Sequence, residues 1–252
     1  MKVTSIKTDI VHVGDDFYAF LDKFSPQDLE NKVLVVTSKI LSLCEGSVVK
    51  PSGKFNKPSD EVHEIAKKVV DYYTEPHSSK YNVMLTIVHS TLLMNGGVDS
   101  SNSDGHYVLL PKDPYKWAKD IWGYLRKKHN LQNFGVIVSD SKSFPLKWGR
   151  VGTALGYCGF KAISDKVGET DLFGRKIEMT YVGVAEGIAI AAVLEMGEVD
   201  ESQPLCLVEN ISQIEFVDHP PTKEELGLLH TEIEDDVYAP MLLKGDWKKG
   251  KH

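Results

Sequence analysis

The sequence has no apolar run long enough to cross a bilayer, which needs about 20 consecutive apolar residues. Its first residues, Met1 to Ser5, also lack the apolar core of a secretory signal peptide. We therefore expect a cytoplasmic protein with no membrane partner.

The chain has few cysteines and a negative net charge. The 252 residues include three cysteines, Cys44, Cys158 and Cys206, which are far apart and form no CxxC pair. This spacing argues against a disulfide framework or a cysteine zinc site and fits a reducing compartment. The formal net charge of -7 argues against sequence-independent binding of nucleic acid, so we expect no nucleic-acid partner. A phosphate site in this chain therefore needs a local basic pocket or a metal ion.

The common phosphate-binding and hydrolytic motifs are missing as well. The chain has no GxxxxGKS/T loop, no dinucleotide-type GxGxxG, no HExxH and no GxSxG. If the protein binds a nucleotide, it does so without the common phosphate loops.

One stretch, residues 95–102, combines glycines with metal-binding and hydrogen-bonding side chains. Gly96 and Gly97 permit a tight turn or the close approach of the backbone to a ligand. Asp99 offers a hard oxygen ligand for a divalent cation, and Asn102 both donates and accepts hydrogen bonds. Taken alone, these residue types favour a plain turn.

A second stretch shifts the balance towards metal–phosphate chemistry. Residues 134–139 form a predicted buried strand that ends by delivering Asp140 beside the hydroxyl of Ser141. A Val-rich strand at residues 32–38 leads to Lys39, where a Ser-Lys step fits a nucleotide contact or, equally, a strand end with a solvated lysine. Spacing alone does not establish that Asp99 and Asp140 meet in space.

The rest of the chain alternates predicted helices and strands. These elements are a helix from Phe17 to Phe24, helices that begin near Ser59 and at Pro114, a strand at residues 176–184, a helix at residues 185–196, a strand at residues 204–208 and a frayed tail from Pro220. Gly152, Gly156 and Gly159 indicate either tight packing or close approach to a ligand.

Several short pieces of the chain together resemble the coenzyme F-420-0:L-glutamate ligase family, whose members are GTP-dependent γ-glutamyl ligases. The match runs from about residue 33 to residue 216, with family-like order and gaps. Its pieces are VTSKI at 36–40, GVDSSN at 97–102, LPKDP at 110–114, SDS at 139–141, DLFGR at 171–175 and MGE at 196–198. Together these pieces are specific for the family, whereas any one of them alone is weak evidence for it.

The resemblance implies an α+β fold of mixed sheets with flanking helices, the F-420-0:γ-glutamyl ligase-like fold, as an intertwined homodimer. It implies one domain over residues 1–252, in which 217–252 form a C-terminal extension. It also implies the reaction: GTP phosphorylates a carboxylate of the acceptor, and the amine of L-glutamate attacks the acyl phosphate to form an amide. Mg²⁺ or Mn²⁺ would bridge the phosphates and neutralise developing charge.

The resemblance also assigns roles to residues. Asp99 and Asp140 become the catalytic pair, and together with Ser141 they become the metal ligands. The implied nucleotide contacts are Thr8, Asp9, Ile10, Val11, Ser38, Lys39, Asn102, Gly197 and Glu198. An aromatic wall for the acceptor is available from Phe144, Trp148 and Tyr157, although core packing explains these three equally well.

Two departures from the family keep an alternative open. Leu43 stands where the family commonly has a lysine, and Gly187 stands where it has a carboxylate. Both support a nucleotide-binding, catalytically impaired regulatory or partner subunit, whereas the retained Asp99 and Asp140 support an active ligase. Residues 142–150 resemble a bacterial branch linked to folate metabolism, so the acceptor stays open between coenzyme F-420-0 and a folate.

Overall fold

The computed structural model describes residues 1–76 and 81–251. In these ranges the strands are β1 (Lys2–Ile6), β2 (Lys32–Thr37), β3 (Val48–Val49), β4 (Tyr72–Tyr73), β5 (Leu85–Val88), β6 (Thr91–Met94), β7 (Tyr107–Val108), β8 (Phe134–Ser143), β9 (Arg150–Cys158), β10 (Ile163–Asp165), β11 (Tyr181–Gly183), β12 (Leu205–Glu209) and β13 (Lys248–Lys249). The α-helices there are α1 (Phe17–Phe24), α2 (Ser38–Glu45), α3 (Pro58–Val69), α4 (Pro114–His129), α5 (Val184–Met196), α6 (Lys223–Leu229) and α7 (Ala239–Leu242). None of them is long and apolar enough to span a membrane, within the part of the chain that the structure describes.

A five-stranded sheet with the order β1-β12-β2-β8-β9 forms the centre of the fold. β2 and β8 are parallel, and the other three pairings of this sheet are antiparallel. Both parallel strands are buried on two faces, which explains their near-continuous apolar sequences.

Helices cover both faces of this sheet. Leu34 of β2 belongs to the core cluster that contains Ile121 of α4, whereas its neighbour Val33 belongs to the cluster that contains Ile188 of α5. This alternation follows from the two-residue period of a strand. The α+β class implied by the resemblance is confirmed.

The glycines of β9 serve packing. A Cβ atom at Gly152 would lie 2.1 Å from the carbonyl oxygen of Ala189 in α5, and one at Gly156 would lie 2.6 Å from the carbonyl oxygen of Pro114 in α4. These close backbone contacts support tight packing, and not the close approach of a ligand, as the reason for the glycines at these two positions. The glycines let α4 and α5 lie directly against the strand.

A smaller sheet with the order β13-β4-β5-β6 packs with α3 beside the central sheet. Thr86 and Met84 tie it to the 3-10 turn at Asn95–Gly97, since the Thr86 hydroxyl accepts from the Gly96 amide at 2.8 Å and the Met84 amide donates to the Asn95 side chain at 2.9 Å. Residues 95–102 are therefore anchored on a hydrogen-bonded platform.

Two predictions on the C-terminal half are wrong. The strand predicted at 176–184 is limited to β11, because residues 166–180 close on themselves through local turns. The tail from Pro220 is not frayed in the part described up to residue 251. It forms α6 with a complete capping box, Tyr115 and His230 are joined at 2.7 Å between the hydroxyl and Nε2, and β13 adds to β4. A few apolar and aromatic anchors are enough to dock this polar segment.

Candidate active site

Several chain segments meet at one end of the central sheet. Because β2 and β8 are parallel, their C-terminal ends lie side by side. β1 and β12 run in opposite directions, so residues 7–12 after β1 and 197–204 before β12 come to that same end. The β8–β9 hairpin extends beyond it, and residues 95–104 reach it from the smaller sheet.

A cavity of about 1310 Å³ lies between these segments. It is lined by every residue that the sequence assigned to catalysis, metal or nucleotide: Thr8, Asp9, Ile10, Val11, Ser38, Lys39, Asp99, Asn102, Asp140, Ser141, Gly197 and Glu198. The structure thus brings Asp99 and Asp140 to one cavity, which spacing alone did not establish.

Asp140 lies inside a strand and not at its end. β8 continues to Ser143, so the predicted strand end at Asp140 is wrong. The register shifts by one residue between Val138 and Ser139, and the extra residue is Leu155 of β9. The alternation of side chains along β8 is therefore kept, and Asp140 lies on the same face of the strand as Val136 and Val138.

The carboxylate of Asp140 is only weakly compensated. It accepts hydrogen bonds from Ser38 Oγ at 3.2 Å and from the Ser141 amide at 2.6 Å. Burial raises the pKa of Asp140 to about 6; these two hydrogen bonds and the charge of Arg150 oppose the rise, and the charge of Asp99 adds to it. A cation bound beside Asp140 would therefore stabilise its ionised form.

The pKa of Asp99 is shifted in the opposite direction. Lys39 Nζ donates to its Oδ2 at 2.7 Å, and the Ser101 amide donates to its Oδ1 at 2.8 Å. Burial alone raises the pKa of Asp99, but the hydrogen bonds from Lys39 and Ser101 outweigh it and hold the pKa below its usual value. The two carboxylates thus share a cavity but differ in their proton affinity.

The segment that follows α5 closes one side of the cavity. Ser141 Oγ donates to Glu198 Oε2 at 3.2 Å, and the side-chain amide of Asn102 donates to the Val199 carbonyl. Gly197 adopts φ 84°, which lets the chain leave the helix towards these partners. Two predicted nucleotide contacts, Asn102 and Glu198, therefore have protein partners here.

The segment after β1 forms another side. Thr8 is tied to the same neighbouring segment by its amide, which donates to the Ser202 carbonyl at 2.9 Å. Asp9 pairs with Lys23 at 2.5 Å, Ile10 is exposed and Val11 belongs to the core. The four predicted contacts thus present differing groups to the cavity.

The oxygen donors fit a divalent cation only in part. Residues 1–76 and 81–251 contain no group of three or more His, Cys, Asp or Glu side chains placed to hold a metal ion. Asp99, Asp140 and Ser141 nevertheless contribute hard oxygen atoms to one cavity. Mg²⁺ is commonly held by one or two carboxylates together with substrate phosphates and water. These residues therefore fit Mg²⁺ or Mn²⁺ shared with phosphates, not a cage made by the protein alone.

The predicted aromatic wall is partly wrong. Trp148 lines the cavity, whereas Phe144 does not, and Tyr157 is 1% exposed within the core. Tyr81, which the sequence did not single out, lies 6.1 Å from Trp148 between ring centroids at an interplanar angle of 85°. No local signal marks Tyr81, because its role depends on contact between two distant elements.

Three further residues line the cavity although no sequence pattern marked them. His12 Nδ1 lies 3.2 Å from Asp104 Oδ2, and both residues line the cavity. Arg150 donates to the Ser141 carbonyl at 3.0 Å. A histidine beside the Thr8–Val11 segment was the signal available for His12, but its partner is far away in sequence.

A large cavity with two carboxylates in unlike electrostatic settings has the features of an enzyme active site. Comparison with known families identifies the class. The family described as F420-0:Gamma-glutamyl ligase matches residues 5–210. The chain therefore belongs to the F420-0:gamma-glutamyl ligase family, as its short motifs predicted.

Relatives of this chain carry the name coenzyme F420:L-glutamate ligase. The one from Methanococcus maripaludis (strain C6 / ATCC BAA-1332) is 31% identical over 251 residues, covering 94% of this chain and 97% of the relative. The one from Methanothermobacter thermautotrophicus is 32% identical over 215 residues, covering 79% and 84%. The one from Methanocaldococcus jannaschii is 33% identical over 190 residues, covering 71% and 75%.

Proposed function

We propose that this protein is a cytoplasmic GTP-dependent γ-glutamyl ligase that joins an acceptor carboxylate to the amino group of L-glutamate. The acceptor is coenzyme F-420-0 or a folate. The observation that carries the proposal is the single cavity lined by all the predicted site residues, in a chain that belongs to a ligase family. The names of its relatives support coenzyme F-420-0 as the acceptor to test first.

The size of the cavity supports more than one bound substrate. Pockets for a single small ligand have volumes of roughly 300–1,000 Å³. At about 1310 Å³ this cavity exceeds that range. A ligase needs such room, because nucleotide, acceptor and amine must be adjacent during the reaction.

The reaction balances in two steps. A carboxylate oxygen of the acceptor attacks the γ-phosphorus of GTP, the bond to the β-phosphate oxygen breaks, and GDP leaves. The amine of glutamate then attacks the acyl carbon of the acyl phosphate, phosphate leaves with the bonding pair, and the nitrogen loses a proton. The products are the amide, GDP and phosphate.

Asp99, Asp140 and Ser141 would hold Mg²⁺ or Mn²⁺ on the phosphates. When bound, the cation supplies positive charge that neutralises the transferring phosphoryl group. Lys39 brings an ammonium to the same place, 2.7 Å from Asp99. Ser38 and Lys39 also open α2, whose first backbone amides favour phosphate oxygens. Electrostatic preorganisation is what phosphoryl transfer requires from a protein.

The base and ribose of the nucleotide are proposed to lie along the Thr8–Val11 segment. Asp9 is its one carboxylate, and it offers two acceptors to the N1–H and N2–H₂ donors of guanine, which adenine lacks. Asn102, Gly197 and Glu198 are proposed to contact the nucleotide from the opposite wall of the cavity. Calorimetric titration with GTP and ATP in Mg²⁺ tests this preference, and tighter binding of ATP would overturn it.

The reaction itself is tested by offering GTP, Mg²⁺ and labelled glutamate with coenzyme F-420-0 in one arm and dihydropteroate in the other. We expect GDP release that needs both acceptor and glutamate, and a product heavier by one glutamyl residue. Asp99→Asn should reduce turnover by about 100-fold or more, as removal of a preorganised charge does. GDP release in the absence of acceptor, or no adduct in either arm, would contradict the proposal.

The alternative, a catalytically impaired subunit, rests on Leu43 and Gly187. Leu43 belongs to the core and also lines the cavity, so the leucine leaves this part of the cavity wall without the cation that a lysine would supply. Gly187 is exposed and is absent from the cavity lining, so a carboxylate missing there does not alter this cavity. An impaired subunit would bind GTP and form no glutamyl product in any arm of the assay.

We further propose that the protein is an intertwined homodimer. The arm between β10 and β11 exposes several large apolar side chains, and Leu172 and Phe173 are 99% and 95% exposed. Apolar surface of this kind marks interaction sites. Light scattering should give twice the monomer mass, and Phe173→Asp should lower it, whereas Leu146→Asp on the other exposed hairpin should not. A monomer mass at micromolar concentration would contradict the dimer.

A further inference from the structure

The cavity has more negative than positive side chains in its wall. Among the residues that the structure describes, seven carboxylates line it, against the three cations Lys39, Lys147 and Arg150. Lys39 is already paired with Asp99 at 2.7 Å. Arg150 donates to the Ser141 carbonyl. The phosphates of a nucleotide add further negative charge, so another positive group in this wall would favour their binding. The seven carboxylates are those of Asp9, Asp99, Asp104, Asp140, Glu198, Asp200 and Glu201.

A histidine lines the cavity next to the segment proposed to hold the base and ribose. His12 directly follows Val11, and its side chain is 60% exposed. A turn fixes its backbone, because the His12 amide donates to Asp15 Oδ2 at 2.8 Å. The Gly14 amide donates to the carbonyl oxygen of Leu43 in α2 at 3.0 Å. His12 therefore lies between that segment and α2, the helix whose start is proposed to face the phosphates.

The part of α2 beside this turn supplies no positive charge. Leu43 lines the cavity and follows Ser38, the first residue of the helix, by five positions. At 1.5 Å per residue, it lies about 7.5 Å along the helix axis from the end that is proposed to face the phosphates. A cation at this part of the wall must come from another segment. The turn at Gly14 brings the side chain of His12 to the same side of the cavity.

Asp104 determines which ring nitrogen of His12 is available to a ligand. His12 Nδ1 lies 3.2 Å from Asp104 Oδ2. An ionised carboxylate only accepts hydrogen bonds, so Nδ1 is the donor in this pair and Nε2 remains for the cavity. The loop that carries Asp104 is closed by its own hydrogen bonds, from Ser103 Oγ to the Ser100 carbonyl at 2.8 Å and from the His106 amide to the Ser103 carbonyl at 3.0 Å. The position of the ring is therefore set from two sides.

We propose that His12, oriented by Asp104, donates from Nε2 to an inner phosphate of the bound nucleotide and supplies the positive charge that Leu43 does not. In the imidazolium both ring nitrogens donate, so one can hold Asp104 while the other holds a phosphate oxygen. An inner phosphate is the one to expect, because His12 adjoins the base and ribose segment, whereas Asp99 and Asp140 are proposed to hold the metal ion. This contact rests on the proposed nucleotide-dependent function.

The test is calorimetric titration of wild type, His12→Gln and His12→Arg with GDP and with GTP, in the presence of Mg²⁺. Glutamine keeps a hydrogen-bond donor but removes the charge, so the affinity for both nucleotides should fall by about 10-fold. Arginine should restore most of it. His106→Gln is the matched control and should bind as wild type does, because His106 also contacts Asp104, with Nδ1 at 2.8 Å from its carbonyl oxygen, and does not line the cavity.

A cation at a second position gives an independent test. Leu43→Lys, combined with His12→Gln, places an ammonium on the same wall of the cavity and should recover most of the lost affinity. A purely structural role of His12 would not be rescued in this way. Thermal unfolding of each variant without nucleotide verifies that its fold is kept.

The outcomes separate this contact from the ligase proposal. Wild-type affinity of His12→Gln for both nucleotides refutes the contact and leaves the ligase reaction intact. A loss confined to GTP refutes the assignment to an inner phosphate, and recovery with neither arginine nor Leu43→Lys refutes a role of charge. His12-dependent binding without any glutamyl product keeps the contact and overturns the ligase reaction. No binding of either nucleotide to wild type overturns both.

Discussion

Replacing Asp140 by asparagine is expected to stabilise the protein while removing its activity. Burial raises the pKa of Asp140 from 3.8 to about 6, so the folded state holds its proton more tightly than the unfolded state does. Below pH 3.8 both states are protonated and the group has no effect on stability. Between pH 3.8 and about 6 the unfolded state ionises while the folded state stays protonated, so the free energy of unfolding falls as the pH rises. Above pH 6 both states are ionised, and the full cost of the buried charge applies.

The magnitude follows from the pKa difference. A pKa difference of one unit corresponds to about 1.36 kcal/mol, so the ionised Asp140 lowers the free energy of unfolding by about 3 kcal/mol above pH 6. Asparagine keeps the acceptor for the Ser141 amide and offers a donor to Ser38 Oγ, the two partners that the carboxylate has now. Since the folded state relaxes around a charge, we expect a gain of about 1–3 kcal/mol at pH 7.5, or roughly 3–10 °C in Tm.

The assay is thermal unfolding of wild type and Asp140→Asn at pH 7.5 and pH 4.0, with EDTA present. The variant should unfold at higher temperature at pH 7.5, and the difference should shrink at pH 4.0. With Mg²⁺ and GTP added, wild type should gain stability and the variant should gain less, because ligand binding stabilises only the folded state that binds it. Turnover of the variant should fall by about 100-fold. An asparagine variant that is no more stable than wild type at pH 7.5 would refute this account of the Asp140 environment.

Three further predictions concern other contacts. Lys39→Gln removes the ammonium that lies 2.7 Å from Asp99, so GTP-dependent turnover should fall about 10-fold or more, and a normal rate of GDP release would contradict this role. Gly156→Ala puts a Cβ atom 2.6 Å from the carbonyl of Pro114 and should cost about 1–3 kcal/mol in urea unfolding; an unchanged midpoint would exclude the close approach. Burial lowers the pKa of His230 from 6.5, so its neutral form stabilises docking of the tail above pH 6.5 and this support is lost as the pH falls below that value. Limited proteolysis should cut the tail faster at pH 5.5 than at pH 7.5, and His230→Gln should remove that difference.

Much of the local structure was accessible from the sequence. The Val-rich runs of β2 and β8, the Pro114 start of α4 and the alanine-rich α5 have short-range patterns with a direct physical meaning. The motif residues all line one cavity, and their roles as metal and nucleotide contacts stay predictions. Local propensity failed where the outcome depends on distant partners, as in the tail that adds β13 to β4.

The sequence by itself determined the helices α1, α3, α4 and α5, the strands β2, β8 and β12, the α+β class and membership of a γ-glutamyl ligase family. Only the tertiary structure decided how they meet: β12 inserts between β1 and β2, and this places residues 7–12 and 197–204 at the end of the sheet that also holds Asp140. It also decided that Asp140 and Asp99 line the same cavity, that Tyr157 is core and that Tyr81 contacts Trp148. Periodicity and capping act over a few residues and are written locally, whereas strand pairing and burial depend on the whole chain, so the positions of these side chains follow from the fold.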